Sequence, residues 1–268
     1  MSVWINNFKM VLEHKEVVIL HGNVRDKYIN RTKELIYNNL TELILDISND
    51  LTLTSTLIVN QVAFYDPVKG EWTAGPPVFY PSEVSKTGIS AFRRDDLEGT
   101  APDKTPTSPK DIKEQKIPPS RVLAKWSKQL SSTNENLLAV IFYLDKLAAY
   151  KQNYQAEECE IILRLEKLIE NITPNNRLVM VALQDSMIPV ELYTNSPKTR
   201  LIPIPLPDKE DRLAFLKHRL GSKYPHLDTV SDLADGLYIR ALDNIIKELK
   251  KYKDIGSEEI RRLINKYL

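Results

Sequence analysis

Two short segments of this chain hold residue types that could handle a phosphate. The first, HGNVRDKYIN, begins at His21 directly after the apolar run Val17–Leu20 and offers Gly22, Asn23 and Lys27. A loop that cradles phosphate uses glycines so that backbone N–H groups can wrap the oxygens. It also uses a lysine to match their charge and a Ser or Thr hydroxyl to hold magnesium. Gly22 and Lys27 meet part of that demand. A second glycine, a Gly-Lys pair and the hydroxyl are missing, and GxxxxGK[ST] occurs nowhere in the 268 residues. The same stretch, His21–Ile29, can equally form a sharp strand-to-helix turn that binds nothing.

The second segment, LLAVIFYLDKLAAY, is an apolar strand, Leu137–Leu144, running into Asp145. A carboxylate placed there can orient magnesium through water, which makes Asp145 the candidate metal residue. Lys146 follows, and its ammonium would compete with magnesium and cannot serve as a base. Asp145 can instead cap a turn or pair with a neighbour. Gln184, after the strand Leu178–Leu183, can both donate and accept. Arg200 stands before the strand Leu201–Pro205, where it is either a surface arginine or a group offered to a partner.

The elements that must position these residues alternate. Val17–Leu20 reads as a buried strand. Thr32–Asp50 spaces Leu35, Ile36, Leu40, Leu43, Ile44 and Ile47 three and four apart, which predicts a helix. Leu57–Tyr65 returns to strand character and stops at Asp66-Pro67. Pro67–Pro119 breaks the rhythm and reads as a long mobile insertion, with TAPDKTPTSPKD its most loop-like part. Ser120 is placed to cap a helix with Val122, Leu123, Trp126 and Leu130 on one face. A helix over Glu157–Ile172 ends at Thr173-Pro174, and a short helix, Ile188–Tyr193, follows the Leu178–Leu183 strand. After Pro207-Asp208 the chain turns wholly helical, with helices reaching Gly221, near Thr229–Ala234, over Leu237–Lys250 and over Ser257–Tyr267. This pattern predicts an α/β fold: a mainly parallel sheet covered by helices on both faces, then a small all-helical domain.

The order from Leu178 through Gln184, Arg200 and IPIPLPDKEDRLAFL resembles the second half of an AAA+ ATPase core running into its lid. The resemblance covers most of the chain and is densest from Leu137 to Lys250. It implies a P-loop NTPase-like core over 1–206, interrupted by 67–119, and a lid over 207–268. It also implies roles. Gly22, Asn23 and Lys27 stand at the Walker A place, Asp145 at the Walker B place, and Gln184 at sensor 1. Arg200 takes the arginine-finger position and Arg240, within GLYIRALDNI, the sensor-2 region; Arg212 would brace core against lid. More narrowly, HGNVRDKY, YLDKLA and IPIPLPDKEDRLAFL resemble the degenerate first module of tandem Clp-type bacterial ATPases, whose second module carries intact motifs. The implied cofactor is ATP or ADP with Mg, weakly held if at all. The implied partners are other AAA+ modules or subunits, homo- or hetero-oligomeric, and a protein substrate. Lys69-Gly70-Glu71-Trp72 and Val78-Phe79-Tyr80 occupy the region where such remodellers grip substrate, although aromatics there can equally pack a loop onto the domain.

Composition narrows the alternatives. Net charge is +1, from 37 basic and 36 acidic residues, so no global field recommends nucleic acid or an anionic membrane. The single cysteine, Cys159, excludes an internal disulfide and suits a reducing cytoplasm. MSVWINNFKMVLEHK shows no secretory pattern, and no apolar run is long enough to cross a bilayer. HExxH and GxSxG are both missing. The expected function is an AAA+ module with degenerate Walker motifs that assembles or regulates and hydrolyses ATP negligibly. An atypical active ATPase is the alternative. A clamp-loader-like DNA-replication subunit is the weaker one, since no basic stripe is present for duplex DNA.

Overall fold

The computed structural model describes residues 2–55, 57–74, 117–251 and 256–267. Val78-Phe79-Tyr80 and most of the expected insertion, including TAPDKTPTSPKD, lie outside the described residues. The chain opens with α1 (Val3–His14), which the sequence reading did not anticipate; it buries Trp4, Ile5, Phe8 and Leu12 on one face. β1 (Val17–Gly22) follows, with Val17–Leu20 fully buried, as a strand flanked on both sides and covered on both faces should be.

The next stretch departs from expectation. The predicted helix from Thr32 is in fact a hairpin, β2 (Tyr28–Asn30) against β3 (Leu35–Tyr37), and only then α2 (Leu40–Thr54). Leu35 and Ile36 share the helical spacing by coincidence. Asn39 sets the true start, because its side chain accepts the Glu42 N–H at 2.9 Å and caps α2. β4 (Gln61–Asp66) then turns through the Asp66 carboxylate, which accepts from the Val68 and Lys69 N–H groups, into the antiparallel β5 (Gly70–Ala74). The segment expected to be loop from Pro67 onward therefore begins with a strand. Trp72 on β5 stacks with Phe64 at 5.3 Å and Phe142 at 6.2 Å, so it packs and does not protrude.

α3 (Pro119–Leu130) begins with proline at its first position, and Ser120 lies inside the helix instead of capping it. β6 (Leu137–Ile141) is shorter than expected. Tyr143 adopts a left-handed conformation (φ 58°), which ends the strand and throws Asp145 onto the one-turn helix α4 (Leu144–Leu147). α5 (Ala156–Asn171), β7 (Arg177–Val181), two 3₁₀ turns (Asp185–Met187 and Val190–Leu192) and β8 (Thr199–Ile204) complete the core. The 3₁₀ turns replace the short helix expected at Ile188–Tyr193. Arg200 lies within β8 instead of before it.

The sheet order is β5-β4-β6-β7-β1-β8, with every pairing parallel except β4–β5. One face packs α3 and α5 over Ile19, Tyr65, Ala139 and Met180. The other packs α1 and α2 over Val18, Phe64, Val140 and Val179. Four helices, α6 (Lys209–Leu220), α7 (Leu227–Leu233), α8 (Ile239–Leu249) and α9 (Ser257–Ile264), close around a separate apolar cluster. Ile29 of the β2–β3 hairpin is the buried core residue that joins that cluster. The fold is the expected α/β sheet, helix-covered on both faces and followed by a helical region. No helix among the described residues is long and apolar enough to cross a membrane.

Candidate functional site

The parallel strands β1, β6, β7 and β8 finish on one side of the sheet, the side where open α/β sheets place their ligands. Gly22 closes β1 with φ +96°, and a Cβ added there would sit 2.7 Å from the Ile204 carbonyl oxygen. The glycine therefore serves close approach of two backbones. Its N–H donates to the Leu183 carbonyl at 3.1 Å, and the Asn23 N–H donates to the Ile204 carbonyl at 2.9 Å. The chain then neither wraps back on itself nor enters a helix, as a phosphate loop would. It runs through Asp26 into β2.

Asp26 is almost fully buried. One carboxylate oxygen accepts the Ile239 N–H at 2.8 Å and the Asn23 side-chain amide at 3.1 Å; the other accepts the Arg240 N–H at 2.9 Å. Ile239 and Arg240 are the first two residues of α8, so a core carboxylate caps a lid helix. Lys27, the candidate phosphate lysine, donates to Asp243 on α8 at 2.8 Å, and Arg219 holds the other Asp243 oxygen at 3.0 Å. Burial alone would raise the Asp243 carboxyl, but the hydrogen bond from Lys27 and the charges of Lys27, Arg219 and Lys247 hold it below its ordinary value. Arg240 donates through Nε to the Arg25 carbonyl at 2.7 Å and through a terminal nitrogen to the Asn38 carbonyl at 2.8 Å.

A second set of contacts extends the seam. Arg31 of the hairpin pairs with Asp208, Glu210 and Asp211 at the start of α6. The Ser2 hydroxyl lies 2.8 and 2.9 Å from the two Asp211 oxygens. Burial pushes the Asp211 carboxyl up, against the pull of the Ser2 hydrogen bond and the Arg31 charge. What remains between core and lid is a cavity of about 20 Å³ lined by Asn23, Lys27, Tyr28, Asp211 and Ile239 among others. That is room for about one water, whereas sites for organic ligands run to roughly 300–1,000 Å³. The residues implied for ATP do not fit it here: the lysine and arginine are engaged, and the seam between them is filled.

Asp145 lies next to this arrangement through Leu183, whose carbonyl accepts from Gly22 and whose N–H donates to Asp145 at 3.2 Å. The second Asp145 oxygen is buried without a hydrogen bond, its nearest cation being Lys146 at 3.3 Å. Among the described residues no cluster of three or more metal-ligating side chains exists. Gln184 is exposed and precedes a 3₁₀ turn. Beside it, burial lowers the His21 pKa and the Asp185 charge partly restores it. Arg25 lays its guanidinium 5.3 Å from the centre of the Tyr143 ring.

The structure thus gathers Gly22, Asn23, Lys27 and Arg240 at one seam, with Asp145 and Gln184 at the neighbouring strand ends. It does not bring Arg200 there. Arg200 is exposed on the edge strand, opposite Val18, while Gly22 pairs with Ile204 four residues on, about 13 Å along the strand. Arg212 does brace the lid, through the Ser231 carbonyl at 2.9 Å and Asp235 at 2.9 Å. Sequence reasoning passed over Asp26, Arg31, Asp211 and Asp243. One signal was there to read: α8 begins after Tyr238, which has no capping side chain, so its first N–H groups need an acceptor from elsewhere.

Comparison with known proteins agrees with this architecture. A search of curated proteins finds no match. Among solved structures, a chain of the E. coli MS115-1 HORMA:CdnC:Trip13 complex superposes with a TM-score of 0.52 at 14% identity, covering 98% of this chain and 77% of that one. At that identity the likeness speaks for the fold alone. The family model for the AAA+ chaperone N-terminal Rossmann-like domain matches residues 1–205. With three-quarters of its length inside that match, the chain belongs to the AAA+ chaperone family, as its N-terminal Rossmann-like domain.

Proposed function

We propose that this chain is a non-hydrolysing AAA+ module, a structural and assembly part of a chaperone whose ATP is cut by another module. The reading extends to the Clp-type arrangement, in which a degenerate leading module is paired with an intact one. One observation carries it: Lys27 and Arg240, the cations that would meet phosphate, are spent on Asp243 and on the Arg25 and Asn38 carbonyls. The Asp26 carboxylate, at the start of α8, adds negative charge where a phosphate would need positive charge. Lys146, in place of a general base beside Asp145, completes the loss.

Such a module contributes shape. Its core and lid are tied by side chains instead of ligand, and its exposed Arg200 is available to a neighbouring subunit. Partners are accordingly other AAA+ modules or subunits, with a protein as the eventual substrate. The family description, an AAA+ chaperone, supports a protein-handling role, and the solved neighbour comes from a multi-protein complex. Steady-state turnover tests the reading. Purified chain should release phosphate from Mg·ATP no faster than buffer. Turnover that survives Asp145→Ala but disappears in Lys27→Ala would establish an atypical ATPase instead.

A further inference from the structure

We propose that the start of α8 is an oxyanion site whose resident ligand is the chain's own Asp26 carboxylate, so that the lid is seated by a tethered anion. The inference rests on the reading of the seam given above, but its test uses no nucleotide and can fail independently.

Two facts define the site. α8 is an eleven-residue helix that offers two consecutive N–H groups, from Ile239 and Arg240, and neither finds an acceptor on its own N-cap residue. Aligned peptide dipoles place partial positive charge at such an end, and a carboxylate or phosphate satisfies both the charge and the open donors. An anion is bound there: the two Asp26 oxygens take one N–H each, at 2.8 and 2.9 Å, which is charge-assisted hydrogen-bond geometry. The Asn23 amide supplies a third donor at 3.1 Å. Its orientation is fixed, because a flip would point its oxygen at the Asp26 carboxylate and the Pro205 carbonyl, both acceptors.

The donors come from both sides, two from the lid and one from the core, so the carboxylate joins the domains at the place where a diffusible anion would otherwise do so. A freely binding anion would seat the lid only when present. One carried by the chain seats it always. Recognition is of the carboxylate group itself, its charge and its two oxygens, and the covalent link to residue 26 only raises its local concentration.

Chemical rescue separates this from an ordinary structural contact. Asp26→Ala removes the carboxylate and leaves a space the size of formate. Asp26→Asn fills the same space with a neutral amide. The full chain of each variant would be melted in sodium formate and in sodium chloride at equal ionic strength. The expected result is a loss of several degrees in Tm for both variants, with formate restoring a large part in Asp26→Ala and none in Asp26→Asn. If Asp26→Ala is unfolded in chloride, it should fold in formate. Equal melting of Asp26→Ala in the two salts, failure to fold in either, or equal rescue of Asp26→Asn would overturn the proposal.

Discussion

Lys27 shows how one side chain changes meaning with its partner. In a phosphate loop a lysine meets a ligand; here it meets Asp243, with both side chains largely shielded from water. Removing it as Lys27→Met should cost about 1–2 kcal/mol at neutral pH, because Arg219 still partners the carboxylate that remains. The pH dependence follows from the direction of the Asp243 shift. Its folded pKa lies below the unfolded one, so its contribution is present above the unfolded value, roughly 4, and is lost as pH falls through the folded value. The stability gap between wild type and Lys27→Met should therefore be steady from pH 7 to 5 and shrink below about pH 4. Urea melts across that range check it. A gap that persists at pH 3 would mean the pair contributes little as an ion pair.

At the scale of elements, the join between β1 and β8 tests whether Gly22 is structural. A methyl group at residue 22 would press on the Ile204 carbonyl and force a left-handed backbone on alanine. Gly22→Ala should lose about 1–3 kcal/mol, as a strained position does, measured by chemical denaturation. An unchanged midpoint would show that the glycine is there for something other than this close approach. The elements themselves were unevenly legible. The strands around Val18, Val140 and Val179 announce themselves because a covered parallel strand is apolar at every position. The helical end of the chain was legible from its caps, Asp208 before α6 above all. The β2–β3 hairpin was not, since three-residue strands carry no periodicity of their own and Leu35 and Ile36 fall into register with the helix behind them. The break at Tyr143 was equally silent: a left-handed tyrosine has no composition signal, and the Arg25 guanidinium that stacks on it comes from a distant turn. The candidate site suffered most from this. Gly22, Lys27 and Arg240 were picked out as residue types, but the carboxylates that claim the cations lie far away in sequence, and Asp26 was hidden in plain view between Arg25 and Lys27.

At the scale of the whole molecule, core and lid are one mechanical unit because Asp26, Lys27, Arg31 and Arg240 bridge them at four places. Arg200 stands outside that unit. It is exposed on the edge strand and makes no hydrogen bond or ion pair among the described residues, so Arg200→Ala should leave stability within about 0.5 kcal/mol of wild type. Association with further subunits, followed by sedimentation, should weaken in the same variant. Unchanged association together with lost stability would return Arg200 to an internal role. The central claim is that this AAA+ architecture holds its lid closed with its own side chains and has no place left for nucleotide. Titration of Mg·ATP into the purified chain in a calorimeter tests it most directly. The account predicts no binding heat up to millimolar nucleotide, and saturable one-to-one binding in the micromolar range would contradict it.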